Sequence, residues 1–215
     1  MNRKSMQLVL VCLLLGSSSA FAQSQDVPKY EVGVEFTTLE RDQFGTKKTE
    51  PGVGARFTYN LNETFAFEAA GYLFPDRCSG CTNGGRMHQI VAGVKAGKRF
   101  EKWGFFAKAR PGLVSFSQGE SKLVSITPGG PFPFEIDVNR TNHFAVDVGG
   151  VVEFYPTRRI VTRFDVGDTI IHFGQRNRTL GGFDPVTGVP RFFLFTQPAR
   201  TTHNFQFIAG VGFRF

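Results

Sequence analysis

Gly52-Val53-Gly54-Ala55-Arg56-Phe57-Thr58-Tyr59-Asn60-Leu61-Asn62-Glu63-Thr64-Phe65-Ala66-Phe67-Glu68-Ala69-Ala70-Gly71-Tyr72-Leu73-Phe74 reads as two strands around a tight polar turn. In the first arm Val53, Ala55, Phe57 and Tyr59 alternate with polar or small residues, and in the second Phe65, Phe67, Ala69, Gly71 and Leu73 do the same. A period of two belongs to a strand whose faces meet different surroundings.

The same rhythm extends in both directions. It predicts eight strands, at Tyr30 to Thr38, Gly52 to Tyr59, Phe65 to Phe74, His88 to Phe100, Gly104 to Phe116, His143 to Tyr155, Ile160 to Ile170 and Thr202 to Phe215. Most approach the roughly 9 to 11 residues that a tilted strand needs to cross a bilayer. One parity of each segment is free of charge, as in Val32, Val34 and Phe36, or Ala92, Val94 and Ala96, or Phe207, Ala209 and Val211. A lysine or arginine facing mid-bilayer hydrocarbon costs about 2 to 4 kcal/mol, so such rows are what lipid enforces. Aromatics gather at the row ends, among them Tyr30, Tyr59, Phe65, Phe105, Phe144, Phe154, Phe205 and Phe215, in the manner of interfacial girdles. The opposite parity carries Glu31, Glu35, Arg56, Glu68, Lys95, Arg99, Lys108, Arg110, Asp147, Glu153, Arg163, Asp165 and Arg214.

Alternation alone does not say which face is inside; the connections do. Short links at 60–64, 101–103 and 156–159 alternate with long ones at 39–51, 75–87, 117–142 and 171–201. Tight turns on one side and extended loops on the other are the asymmetry of an outer-membrane barrel. The expected fold is all-β, an eight-stranded antiparallel up-and-down transmembrane β-barrel. Composition agrees: 215 residues, 41% hydrophobic content and 25 Phe suit one packed domain rather than disorder. A mean hydropathy of -0.13 excludes a polytopic helical membrane protein.

Arg3 and Lys4, the apolar run Leu8 to Leu15 and the small-residue close at Ala20-Phe21-Ala22 follow the plan of a secretory leader. Cleavage is expected after Ala22, giving a leader over 1–22 and a barrel domain over 23–215 with no further domain. Without Arg3 and Lys4 the chain has 23 basic against 18 acidic residues, a charge of +5. That scattered excess gives no support for nucleic-acid binding.

At the level of motifs, Gly52 to Leu61 followed by Phe65-Ala66-Phe67-Glu68 resembles the small outer-membrane barrel family typified by the transmembrane domain of outer-membrane protein A and its short relatives. Gly210, Phe213 and Phe215 are similar to the C-terminal signal read by the barrel-assembly machinery, with Ile208 where that signal often has a polar residue. The resemblance implies a barrel in the outer membrane of a Gram-negative-type cell, porin-like in architecture, without cofactor and without one family-wide activity.

Eight strands leave a lumen that side chains nearly fill. Inward charges of both signs predict mutual pairing, so Arg56, Glu68, Lys95, Lys108, Arg110, Glu153, Arg163 and Asp165 are expected to form an internal network that plugs it. Two residues fit poorly. Pro111 falls inside strand five, and Asp168 lies on the lipid parity of strand seven. A bulge near Gly167 and Asp168 would turn Asp168 inward and bring Ile171 and Phe173 to the outer row.

In the loops, Cys78 and Cys81 are expected to form a local disulfide in an oxidising compartment, since a zinc site lacks ligands there. His88, His143, His172 and His203 map to external strand ends as rim residues. The third and fourth long loops read as extended hairpins, and Arg176, Arg178, Arg191 and Arg200 make the fourth basic. The functional expectation is a non-enzymatic, monomeric envelope-structural or surface-binding barrel that contacts outer-membrane lipids and lipopolysaccharide. The alternatives are a lipid-modifying enzyme or a narrow small-solute channel.

Overall fold

Peptide groups next to hydrocarbon need hydrogen-bond partners within the protein, and a closed ladder of strands supplies them all without leaving an edge. The computed structural model, which describes residues 27–43, 46–78, 84–126, 134–183 and 190–215, takes this solution. Strands β1 (Tyr30–Gln43), β2 (Thr46–Asn60), β3 (Phe65–Cys78), β4 (Gly84–Arg99), β5 (Trp103–Ile126), β6 (Phe134–Phe154), β7 (Ile160–Phe173) and β10 (Arg200–Arg214) close a barrel in the order β1-β10-β7-β6-β5-β4-β3-β2. Every neighbouring pair is antiparallel. Each predicted strand is present, most of them running further into the long-loop side than the alternation indicated. The expected third-loop hairpin is the continuation of β5 and β6, paired as far as Ile126 and Phe134. The fourth-loop hairpin is a separate two-stranded sheet of β8 (Arg176–Phe183) and β9 (Pro190–Gln197). The expected leader over 1–22 lies outside the described residues.

Partners followed around the wall from Tyr30 run through Tyr59, Phe67, Val94, Ala109, Val148 and Asp168 to Phe205. Phe205 precedes Gln206, the partner of Leu39, so the circuit returns to β1 level with Glu40, ten residues above its start. Such a shear tilts the strands by roughly 35 to 45°. Residues on one perpendicular row therefore sit at very different depths: Tyr30 beside the short turns, Asp168 and Phe205 near the opposite rim.

The short turns are closed by side chains that replace missing backbone partners. Asn62 Oδ1 accepts from the amides of Thr64 and Phe65, both at 2.8 Å. Thr157 Oγ1 accepts from the amide of Ile160 at 3.1 Å.

The parity is as expected. Val32, Val34, Phe36, Val53, Phe57, Phe67, Leu73, Ile90, Leu113, Phe164, Val211 and Phe213 lie exposed on the outside, whereas Glu31, Glu35, Arg56, Glu68, Asp147 and Arg163 are buried in the lumen. Pro111 keeps its place in the outer row. It pairs with Val146 of β6, and the β4–β5 ladder has a gap between Val91↔Gly112 and Val94↔Ala109. The missing amide of proline falls on that side, and the register passes through unchanged.

The expected bulge at Gly167 and Asp168 is absent. The register of β7 is continuous with both β6 and β10; Asp168 stays on the outer face, and Ile171 and Phe173 are buried inside. The physical reason is a reversal of polarity at constant alternation. Toward the long loops the inward row becomes Leu39, Phe74, Met87, Val114, Phe116, Ile171 and Phe173. On the outer face the apolar row gives way to Thr38, Glu40, Thr49, Arg86, Ser115, Asn142 and His203. Below the boundary each strand is built for lipid, above it for water.

Inward-facing glycines make room for large neighbours. A Cβ on Gly54 would stand 2.3 Å from Tyr72 Cδ1 and 2.6 Å from the Gly71 carbonyl oxygen, and one on Gly52 would stand 2.7 Å from Phe74 Cδ1. Gly54→Ala is expected to cost about 1 to 3 kcal/mol in urea unfolding from lipid vesicles. Ala55→Val, on the outer face, should change stability by no more than about 0.5 kcal/mol.

Candidate functional site

The lumen is filled in two layers of different chemistry. The lower layer, nearer the short turns, holds all eight residues expected in the network, each buried. Their neighbours are set by barrel curvature, which brings together strands far apart in the chain. Glu68 of β3 is the hub. It accepts from Arg163 of β7 through both terminal nitrogens, Nη2 at 3.0 Å. Lys95 Nζ stands 3.4 Å away, Arg110 Nη1 3.5 Å and Arg56 Nη1 3.9 Å. Arg163 also grips Asp165, with Nε donating to Oδ1 at 2.6 Å and Nη2 to Oδ2 at 2.9 Å. Lys108 Nζ bridges Asp165 and Asp147, 3.0 Å from each. Arg110 holds Asp147 Oδ2 through Nε at 3.0 Å and Nη2 at 2.5 Å. Lys95 is bonded to Glu153, whose other oxygen accepts from the Tyr155 hydroxyl at 2.7 Å.

The other inward charges join the same layer. Arg56 Nε donates to Glu35 at 2.8 Å, and the Tyr72 hydroxyl donates to the second Glu35 oxygen at 2.7 Å. Glu31 lies 3.2 Å from Arg214, 3.4 Å from Arg56 and 3.5 Å from Arg99. The Arg214 guanidinium covers the Tyr155 ring at 4.3 Å, and Lys95 sits over Phe106 at 4.5 Å. Pairing and ring faces offset part of the large cost of burying these ions; Asp147 Oδ1, Arg110 Nη1 and Arg99 Nη1 are buried without a hydrogen bond.

Above lies a thin uncharged polar band. Thr169 Oγ1 donates to Gln206 at 2.5 Å, and Gln206 Nε2 donates to Thr37 at 3.0 Å and to Gln89 at 3.2 Å. Higher still, Leu39, Phe74, Met87, Val114, Phe116, Ala145, Ile171 and Phe173 form a buried apolar cluster, which Val91 and Ile208 extend below the band on β4 and β10. Inward charges alone do not reveal this upper layer. The signal was present in Leu39, Val114, Phe116, Ile171 and Phe173, all on the charge-bearing parity. A ring of aromatics and cations closes the top: Arg41 over Phe116 at 5.1 Å, Arg200 over Phe173 at 5.2 Å, and His143 against Phe173 at 4.5 Å. Arg41 is ion-paired with Glu50.

His143 thus points inward and is buried, whereas His172 and His203 are exposed on the outer face and His88 is partly exposed. Phe213 and Phe215 lie outward at the end of the chain, and Gly210 faces inward against Glu35. Cys81 lies outside the described residues, so the expected Cys78–Cys81 pair does too. No group of three or more His, Cys, Asp or Glu suited to a metal occurs among the described residues.

No family model and no curated relative matches the chain. Among solved structures, Neisserial surface protein A matches over 89% of this chain and 100% of its own, with a TM-score of 0.50 at 13% identity. The chain has the fold of the small outer-membrane barrels. Ail from Yersinia pestis covers 88% of this chain and 99% of its own at 10% identity and a TM-score of 0.48. OprG from Pseudomonas aeruginosa covers 89% and 98% at 11% identity and a TM-score of 0.44. At such identities the likeness concerns architecture, and the lining of this barrel must be read from its own residues.

Removing the hub acid strands at least one buried cation. Glu68→Ala is expected to lose about 3 to 5 kcal/mol in denaturant unfolding from lipid vesicles. Glu68→Met combined with Arg163→Met should recover part of that loss, because the exchange removes both charges together.

Proposed function

We propose that the protein is a non-enzymatic outer-membrane barrel with an envelope-structural or surface-binding role, exercised at its outer surfaces and not through its lumen. The observation that carries this reading is the double filling of the interior. Seven basic and six acidic side chains interlock below, and a buried apolar cluster fills the space above. An ion entering from the long-loop side would meet hydrocarbon side chains, and one entering from the short-turn side would have to separate paired charges. A conducting filter tends instead to present a ring of one sign to water.

The charge-free outer belt and the likeness in fold to solved outer-membrane proteins support the location. The partners proposed with it are outer-membrane lipids and lipopolysaccharide around a monomeric barrel, with Gly210, Phe213 and Phe215 presented to the barrel-assembly machinery during insertion.

Two measurements test the reading. Cell fractionation is expected to place the chain in outer membranes, with heat-modifiable gel mobility in detergent. In planar bilayers the purified barrel is expected to give no stable stepwise conductance. A long-lived open state would overturn the closed-lumen reading and favour a narrow channel.

A further inference from the structure

Asp168 is a charged side chain on the outer wall of β7, in the row that below it reads Val166, Phe164, Thr162 and Ile160. The polarity reversal explains why it is tolerated at the upper edge of the apolar belt, but not what it does there. Its two oxygens are both engaged. Oδ2 faces His203 Nδ1 at 2.6 Å, and Oδ1 accepts the amide of Asn204 at 2.7 Å. The pair is open to the outside, with side-chain exposures of 70% for His203 and 34% for Asp168.

A second polar pair stands beside it on the same face: His172 Nδ1 is 3.2 Å from Thr201 Oγ1, and Thr201 and His172 are register partners. The carboxylate holds the ring through Nδ1 and turns Nε2 of His203 outward, free to hydrogen-bond. His172 likewise keeps its Nε2 and Thr201 the remainder of its hydroxyl. Four polar side chains from two strands thus form a hydrogen-bonding patch at headgroup depth. The carboxylate of Asp168 sets it against anions, and no lysine or arginine belongs to the quartet. Groups of this kind fit neutral hydroxyls.

Below the patch the wall is hollowed. A depression of about 840 Å³ is lined by Phe36, Ala55, Gly71, Leu73, Phe164 and Ala209, among others. These six belong to the outer row, and inner-row Glu35, Gly54 and Gly210 complete the lining, so the depression is shallow and faces the acyl chains of the bilayer. Phe164 lies four residues below Asp168 on β7, about 13 Å along the strand. That separation matches a headgroup at the patch and a tail in the hollow.

Resting on the outer-membrane reading above, we propose that the outer face of β7 and β10 binds one glycolipid of the outer leaflet. Its sugar hydroxyls bond to His203, His172 and Thr201, Asp168 orients His203, and an acyl chain occupies the depression. The surface-binding role then has a lipid as its partner, recognised at the bilayer boundary and not by the loops.

The test uses the full barrel carrying Trp103→Phe and Phe164→Trp in phosphatidylcholine nanodiscs, with quenching of the introduced tryptophan by brominated acyl chains as readout. Brominated monoglucosyl diacylglycerol is expected to reach half-maximal quenching at a mole fraction about tenfold lower than brominated phosphatidylcholine, the effect of one or two net hydrogen bonds. Asp168→Asn and His203→Gln should each remove the difference while gel mobility remains heat-modifiable. If either variant fails to fold, Thr201→Val with His172→Gln serves in its place. Equal quenching by the two lipids would overturn the proposal. So would an equal advantage for brominated phosphatidylglycerol, which would mean a response to charge. Release of free fatty acid from the glycolipid would overturn binding in favour of hydrolysis. Conductance of the same preparation reports the state of the lumen separately.

Discussion

Hydrocarbon cannot hydrogen-bond, and nearly everything in this molecule follows from that. A strand inside a bilayer must hand its peptide groups to a neighbour on each side, so the ladder closes on itself. Side chains turned outward must be apolar, and those of opposite parity are confined to a lumen only a few side chains wide. Charges placed there have no water in quantity to solvate them. Glu68, Arg163, Asp165, Lys108, Asp147 and Arg110 accordingly form one continuous set of contacts, not a collection of isolated pairs. Such a set is weak evidence of net stabilisation, since an apolar filling of the same shape could do as well. It ties distant strands together across the lumen, since Arg163 of β7 holds Glu68 of β3 and Lys108 of β5 holds Asp165 of β7.

The constraint holds only as far as the bilayer does. Where the strands leave it, the alternation continues but the faces exchange character. Leu39, Phe74, Phe116 and Phe173 turn inward and Glu40, Arg86 and His203 outward. The upper part of the barrel therefore packs in the manner of a water-soluble one, with an oily interior. The two fillings meet at the uncharged band of Thr37, Gln89, Thr169 and Gln206. On the closed-lumen reading proposed above, the two fillings act as unlike barriers in series. On the outer wall of β7 and β10 the boundary between the two regimes is marked by Asp168, His203, His172 and Thr201.

Much of this was legible in the chain. Period-two alternation separates two faces with little ambiguity, and the unequal connections tell which face meets lipid. All thirteen charges of the inner parity lie in the lumen, Arg99 alone among them only partly covered. Asp168 shows where that reasoning fails. Judged by the lipid rule it looked misplaced and a bulge was invoked to correct it, whereas the strand had already reached the interface. Alternation records sidedness and carries no marker of depth.

The sidedness of each strand is written in the linear chain, because parity is a property of neighbouring residues. Which residues meet across the lumen, and at what height, comes only with closure of the barrel. Glu68 and Arg163 are 95 positions apart, and no local pattern couples them. Closure with a shear of ten residues brings them across the lumen, and the same tilt lifts Asp168 and Phe205 far above Tyr30 on one row of the ladder. Register and tilt belong to the closed barrel as a whole, and a linear chain does not express them until the last strand pairs with the first.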